Sequence, residues 1–234
     1  MAITTLILTQ TLKSSTPLLV AGFGELLAQR AGVINVGIEG TMLMGAIAAF
    51  AAATLAGAFW AFPAAIAAGV LMAVLFALAT VWFRADQIVT GTALNILAGG
   101  ASLTAWRLLQ NTSAPPLFNP LPARFLAPIP FVGTALESIF SQYALFWIAV
   151  PLALALALLM RHTRAGLVIR SLGDAPDACA AAGIRVRLHR SLILLFAGAA
   201  SGTAGAYLST MRNHSFQPNM TSGQGFLVLA LVIF

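Results

Sequence analysis

The stretch 24–45, GELLAQRAGVINVGIEGTMLMG, places Glu25, Asn35 and Glu39 among Gly24, Gly32, Gly37, Gly40 and Gly45, in or beside long apolar runs. Ionisable side chains at membrane depth are costly and usually face a cavity, a partner or a pathway. Dense glycine there permits broken helix and close backbone approach, tolerated where it is buried in protein or lines a cavity. The chemistry available is hydrogen bonding to a polar solute. The alternative is a polar loop at the membrane surface, with Glu25 and Arg30 as a neighbouring ion pair. Asn95 lies inside a later apolar run, where an amide more often bonds a neighbouring helix than a solute. Asp86, before that run, suits a helix N-cap.

A third group is Gly173-Asp174-Ala175-Pro176-Asp177, followed by Ala178-Cys179-Ala180-Ala181-Ala182-Gly183. It reads as a short helix over 174–182. Asp174 would cap it, Asp177 suits its positive end, Pro176 fits a first turn and Gly183 supplies a left-handed stop. Two turns have little stability alone, so the helix docks on the protein's own spans or on a partner, or remains a solvated loop helix. Cys179 reads as a small packing residue on it. The sequence has no P-loop GxxxxGK[ST], no nucleophile–base pair and no paired carboxylates. His162, His189 and His214 stand singly, without metal-ligand spacing.

The elements that must position these residues are membrane spans. Sixty per cent of the 234 residues are apolar and 8% charged, against about 25% charged in a soluble domain. That excludes an ordinary soluble enzyme, a nucleic-acid binder and a disordered regulator. With roughly 20 apolar residues per crossing, spans are expected near 14–28, 38–57, 60–82, 88–109, 142–160 and 191–210. Lys13 interrupts the first apolar stretch, and a seventh run starts at Gly225. The fold class is therefore all-α, a polytopic bundle of about six spans plus the start of a seventh, forming one domain over 1–234. Because 225–234 is short for a crossing, the domain is expected to be cut short at its C-terminus.

Charge orients the bundle. The loop 161–190 holds six arginines, and Arg30 and Arg84 fall on the same side, the cytoplasmic one. Arg107, Arg124 and Arg212 fall on the other, with Lys13 near that face. The segment 110–141 carries six prolines and is expected to lie outside, on the membrane face. Gly198, Gly202 and Gly205 form a small-residue face suited to close helix packing.

Three stretches together resemble permease subunits of ABC importers. GELLAQRAGVINVGIEGTMLMGA, ADQIVTGTALNILAGG and RSLGDAPDACAAAGIRVRLHR are similar to segments of the branched-chain amino acid and simple-sugar permease superfamily, closest to its purine nucleoside-type members. The resemblance runs from about Pro17 to Phe234. It implies a transport subunit of a bacterial inner membrane, not an enzyme, with no cofactor of its own and ATP held by partner ATPases. It also implies a second, related but distinct permease, a periplasmic or lipid-anchored solute-binding protein and surrounding membrane lipids, with no nucleic acid. Under it, Glu25, Asn35, Glu39 and Asn95 are pathway residues. Gly173, Asp174, Pro176, Asp177, Ala182 and Gly183 then belong to an ATPase-coupling helix within the cytoplasmic loop 161–190. Nucleosides are the expected solutes; branched-chain amino acids and simple sugars are the alternatives, and a membrane protein without transport activity is a third.

Overall fold

Lys13 does not break the first apolar stretch. In the computed structural model, which describes residues 2–109, 118 and 142–234 (side chains from residue 6), one helix α1 runs Ala2–Arg30 with Pro17 inside it. The Lys13 ammonium lies 5.7 Å from the centre of the Tyr143 ring. The aromatic face gives the charge a partner, so the helix can carry it. The remaining helices are α2 (Ile38–Leu55), α3 (Ala61–Ala77), α4 (Gln87–Leu109) and α5 (Ala144–His162). Then come α6 (Arg164–Asp174), α7 (Pro176–Ala181), α8 (Val186–Ala206) and α9 (Gln224–Ile233). A wider π-helical turn extends α3 over Leu78–Trp82, and another extends α8 over Tyr207–Arg212. There is no strand among the described residues.

Among the described residues five helical stretches are long and apolar enough to cross a membrane: Ile38–Leu55, Ala58–Trp82, Gln87–Leu109, Ala144–His162 and Val186–Arg212. They match five of the expected spans. The last one starts five residues before the expected 191, because Val186–Arg190 winds into the same helix. α1 is long enough to cross but carries more polar residues, and α9 is a short apolar helix of ten residues. The segment 110–141 lies outside the described residues except for Phe118, whose ring meets Phe62 edge-on at 5.9 Å.

The small-residue face builds the interior. α8 packs against α1, α2 and α3, with Gly198, Ser201, Gly202, Ala204 and Gly205 buried. A methyl group on Gly69 of α3 would run into the carbonyl oxygen of Gly198, and one on Gly205 into that of Met42 in α2. Glycine at these positions lets the backbones meet, and tight van der Waals packing then holds helices that gain little from hydrophobic burial in lipid. Around the crossing, Ile38, Met42, Tyr207 and Leu208 form an apolar core. By contrast α5 stands at the margin, with Ile148, Val150 and Leu154 each more than half exposed.

Three polar segments meet at one end of this bundle. The Ile34 N–H donates to Gln87 Oε1 at 2.8 Å, Trp82 Nε1 donates to Ser191 Oγ at 3.2 Å, and Arg190 Nε donates to the Ala31 carbonyl at 2.9 Å. Residues 29–37, 83–87 and 161–190 therefore share a face, as the arginine count requires.

Candidate transport and coupling sites

The turn between α1 and α2 is a buried polar seam. Gly32, at φ +80°, takes the chain out of α1. Glu25, on α1, is fully buried; its Oε1 accepts from Gln29 Nε2 and from the Asn35 N–H, each at 3.2 Å. These donors take the place of the ion pair with Arg30. Asn35 Oδ1 accepts from the Gly37 N–H at 3.1 Å, which closes the turn. Asn95 reaches across from α4: its Oδ1 accepts from the Gly40 N–H at 2.8 Å and its Nδ2 donates to the Val36 carbonyl at 3.0 Å. This is the interhelical bond expected of an amide in a span.

Glu39 makes the longest connection in sequence. Its Oε1 accepts from the Gly223 N–H at 2.8 Å and its Oε2 from the Gly225 N–H at 2.6 Å. Those groups open α9, where unpaired N–H groups and the helix dipole attract an anion. One carboxylate thus anchors a helix that begins inside the bundle after the turn-rich segment 213–223. Glu25, Asn35, Glu39 and Asn95 are brought together as one brace of the segment 31–40. Nearly all their polar atoms face protein backbone. Among the described residues, Glu25 Oε2 is buried with no hydrogen-bond partner, and Asn35 Nδ2 makes no hydrogen bond either.

The second site is the helix pair at the polar end. Thr163 caps α6 by accepting from the Gly166 N–H at 3.1 Å. Asp174 ends α6 instead of capping the next helix; Ala175 holds the N-cap position of α7, and the short helix covers Pro176–Ala181, not 174–182. The reason is local. Pro176 fixes the first turn of α7 and disfavours helical geometry in the residue before it, so the break falls at Ala175. Asp177 does lie in the first turn, Ala182 closes the helix, and Gly183 is left-handed at φ +82°. Asp174, Asp177, Ala182 and Gly183 are exposed and Pro176 is half-buried.

The pair is not a solvated loop. Buried Cys179 packs with Ala31 and Leu172. A methyl group on Gly173 would strike the Arg30 carbonyl, so α6 sits directly on the end of α1. Arg190, which the sequence offered only as one of six loop arginines, closes the joint. Its Nε donates to Ala31 and its Nη2 to the Leu172 carbonyl at 2.8 Å. One guanidinium at the start of α8 thereby fastens the carbonyl just after α1 and one in the last turn of α6. Its place where the basic loop turns apolar was the available signal, and nothing local names the carbonyls it meets. Beside the joint lies a groove of about 380 Å³ lined in part by Arg84, Gln87, Asp177, Arg187 and Arg190. Among the described residues no three His, Cys, Asp or Glu side chains group as a metal site.

This arrangement is a membrane bundle with an outward-facing helix seated on α6, α1 and α8 at its basic end. Residues 7–234 match the family described as the permease component of branched-chain amino acid transport systems. The chain is 33% identical to the guanosine ABC transporter permease NupQ of Bacillus subtilis, over 99% of this chain and 76% of that one. It is 32% identical to the nucleoside ABC transporter permease NupC of Lactococcus lactis, over 94% and 72%. It is also 32% identical to TsgC13 of Haloferax volcanii, a provisionally assigned glucose ABC transporter permease, over 97% and 70%. No solved structure matches. A permease of this kind works with ATPase and solute-binding subunits and does not itself hydrolyse ATP. The chain belongs to the permease component family of branched-chain amino acid transport systems, as a multi-pass subunit of an ABC importer that fits the bacterial inner membrane.

Proposed function

We propose that this chain forms half of the solute pathway of a nucleoside importer, paired with a related but distinct permease. A separate solute-binding protein delivers the solute, and two ATPases bind beneath. The observation that carries the solute class is its likeness, at similar identity, to a guanosine permease and a nucleoside permease. The likeness to a provisionally assigned glucose permease favours simple sugars as the second reading. Residues 173–183 form the coupling element, with the exposed edge of α7 at Asp177, Ala182 and Gly183 received by an ATPase. The seat made by Gly173 and Arg190 supports this reading, because a push on α7 then reaches α1 and α8 without passing through a flexible loop. ATP binding by the partners shifts the population between inward-open and outward-open bundles.

Glu39 and Asn95 act in the pathway by holding its wall, since their side-chain polar atoms already bond the protein, and Asn35 does so through its Oδ1. Glu25 supports the turn beside them through the Asn35 N–H, its second oxygen being buried within the protein. The test is uptake of labelled guanosine by cells carrying the whole system, against cells lacking this chain alone, with unlabelled glucose, ribose and leucine as competitors. Loss of uptake without competition supports the nucleoside reading. Competition by glucose or ribose moves the solute to the sugar class, and unchanged guanosine uptake removes nucleosides altogether.

A further inference from the structure

A second cleft opens between α1 and α5, and its chemistry differs from that of the groove beside α7. It encloses about 370 Å³. Phe23 of α1 and Leu156 and Met160 of α5 form its apolar wall, while Arg30, Arg161 and Arg170 line the same space, and no carboxylate does. All three arginines are exposed. Arg170 Nε donates at 3.4 Å to the Gly166 carbonyl. That long bond leaves most of the guanidinium donors of the trio unspent, whereas Arg190 spends its own on two backbone carbonyls. The neighbouring surface of α5, through Ile148, Val150 and Leu154, is open and apolar.

An apolar wall along a span, ending in cations, is complementary to one kind of molecule. We propose that this cleft binds an anionic phospholipid of the leaflet on the arginine-rich side, with its phosphate on Arg30, Arg161 and Arg170 and an acyl chain along Phe23, Leu156 and Met160. Guanidinium forks match phosphate oxygens in pairs, and basic pockets between spans on the cytoplasmic side are suited to anionic headgroups. An acidic protein segment would satisfy the arginines but would gain nothing from the wall that continues down the span. Because Arg30 ends α1, Arg161 lies in the last turn of α5 and Arg170 lies on α6, the bound lipid ties three helices together next to the coupling pair.

The test is native mass spectrometry of the full chain in detergent, titrated separately with phosphatidylglycerol, phosphatidylcholine and inorganic phosphate. Phosphatidylglycerol is expected to stay bound where phosphatidylcholine dissociates. The triple variant Arg30→Gln/Arg161→Gln/Arg170→Gln should weaken that binding about tenfold or more. Arg107→Gln/Arg212→Gln, which removes two exposed arginines elsewhere, should leave it unchanged. Met160→Trp, which fills the wall and keeps all the charges, guards against misfolding of the triple variant and should also weaken retention. Equal binding of the two lipids, displacement of phosphatidylglycerol by inorganic phosphate, or full retention by a folded triple variant would each overturn the proposal. So would loss of the lipid on assembly with the second permease, which would make the cleft a subunit interface.

Discussion

The crossing of α8 with α2 and α3 and the joint of α6 with α1 and α8 are both tight, but they are tight for different reasons. At the crossing, Gly69, Gly198 and Gly205 bring backbone onto backbone with no side chain between. Contact there is dispersion over a matched surface, and it has no cheap alternative arrangement. At the joint, Gly173 permits the approach but Arg190 supplies the hold, through bonds from one side chain to two helix ends. Bonds of that kind can break and re-form as helices tilt. On the coupling role proposed above, the first region serves as the fixed frame and the second as the linkage that carries a push from the surface toward the interior.

Substitutions should separate the two. The largest loss of stability is expected at the crossing. Gly205→Val drives a branched side chain into the Met42 carbonyl and should cost about 3 kcal/mol by overpacking. It should appear as a collapsed gel-filtration peak after mild heating, while Gly99→Val, with open space around it, keeps the wild-type profile. Equal profiles would mean that the crossing is not the frame. Next comes Arg190→Ala, which leaves the Ala31 and Leu172 carbonyls without this donor, at about 1.5–3 kcal/mol for bonds to a charged group. Here the chain should still insert, protease should gain access to 164–183, and ATP-driven uptake should fall severalfold. Full uptake with a protected loop would sink the linkage.

A smaller effect is expected at Glu39. Glu39→Gln retains one acceptor oxygen for two N–H groups and loses the charge facing α9, at about 1 kcal/mol. A lowered melting temperature checks it, and Glu39→Ala should lower it further. The smallest stability change is expected at exposed Asp177, where Asn should cost no more than about 0.5 kcal/mol. Its signature is functional: stimulation of the partner ATPase should drop although melting stays the same. If Asp177→Asn changes neither, the exposed edge of α7 is not the surface an ATPase receives.

Much of this was readable from the chain. Asp86 does cap α4, accepting from the N–H groups of Ile88 and Val89 at 2.9 Å, because an N-cap is decided within three residues. Asn95 bonds a neighbouring helix, as an amide among apolar residues more often does than it bonds a solute. The short helix after Pro176 and the stop at Gly183 follow from proline and glycine geometry, although the assignment of its cap to Asp174 does not survive. The joining of Glu39 to Gly223 and Gly225 was not readable, since nothing near either end specifies a partner more than 180 residues away. Arg190 was hidden in the same way among arginines of equal local character.

By itself, then, the sequence determined an all-helical membrane protein. Charge scarcity, span-length apolar runs and clustered arginines are properties of short windows, and solvent chemistry acts on them directly. Only the tertiary structure decided which glycines face a backbone, which carboxylate anchors a buried helix end and which arginine is a clasp and which is free. Those outcomes depend on where helices cross, and crossing is a property of matched surfaces that no single window contains.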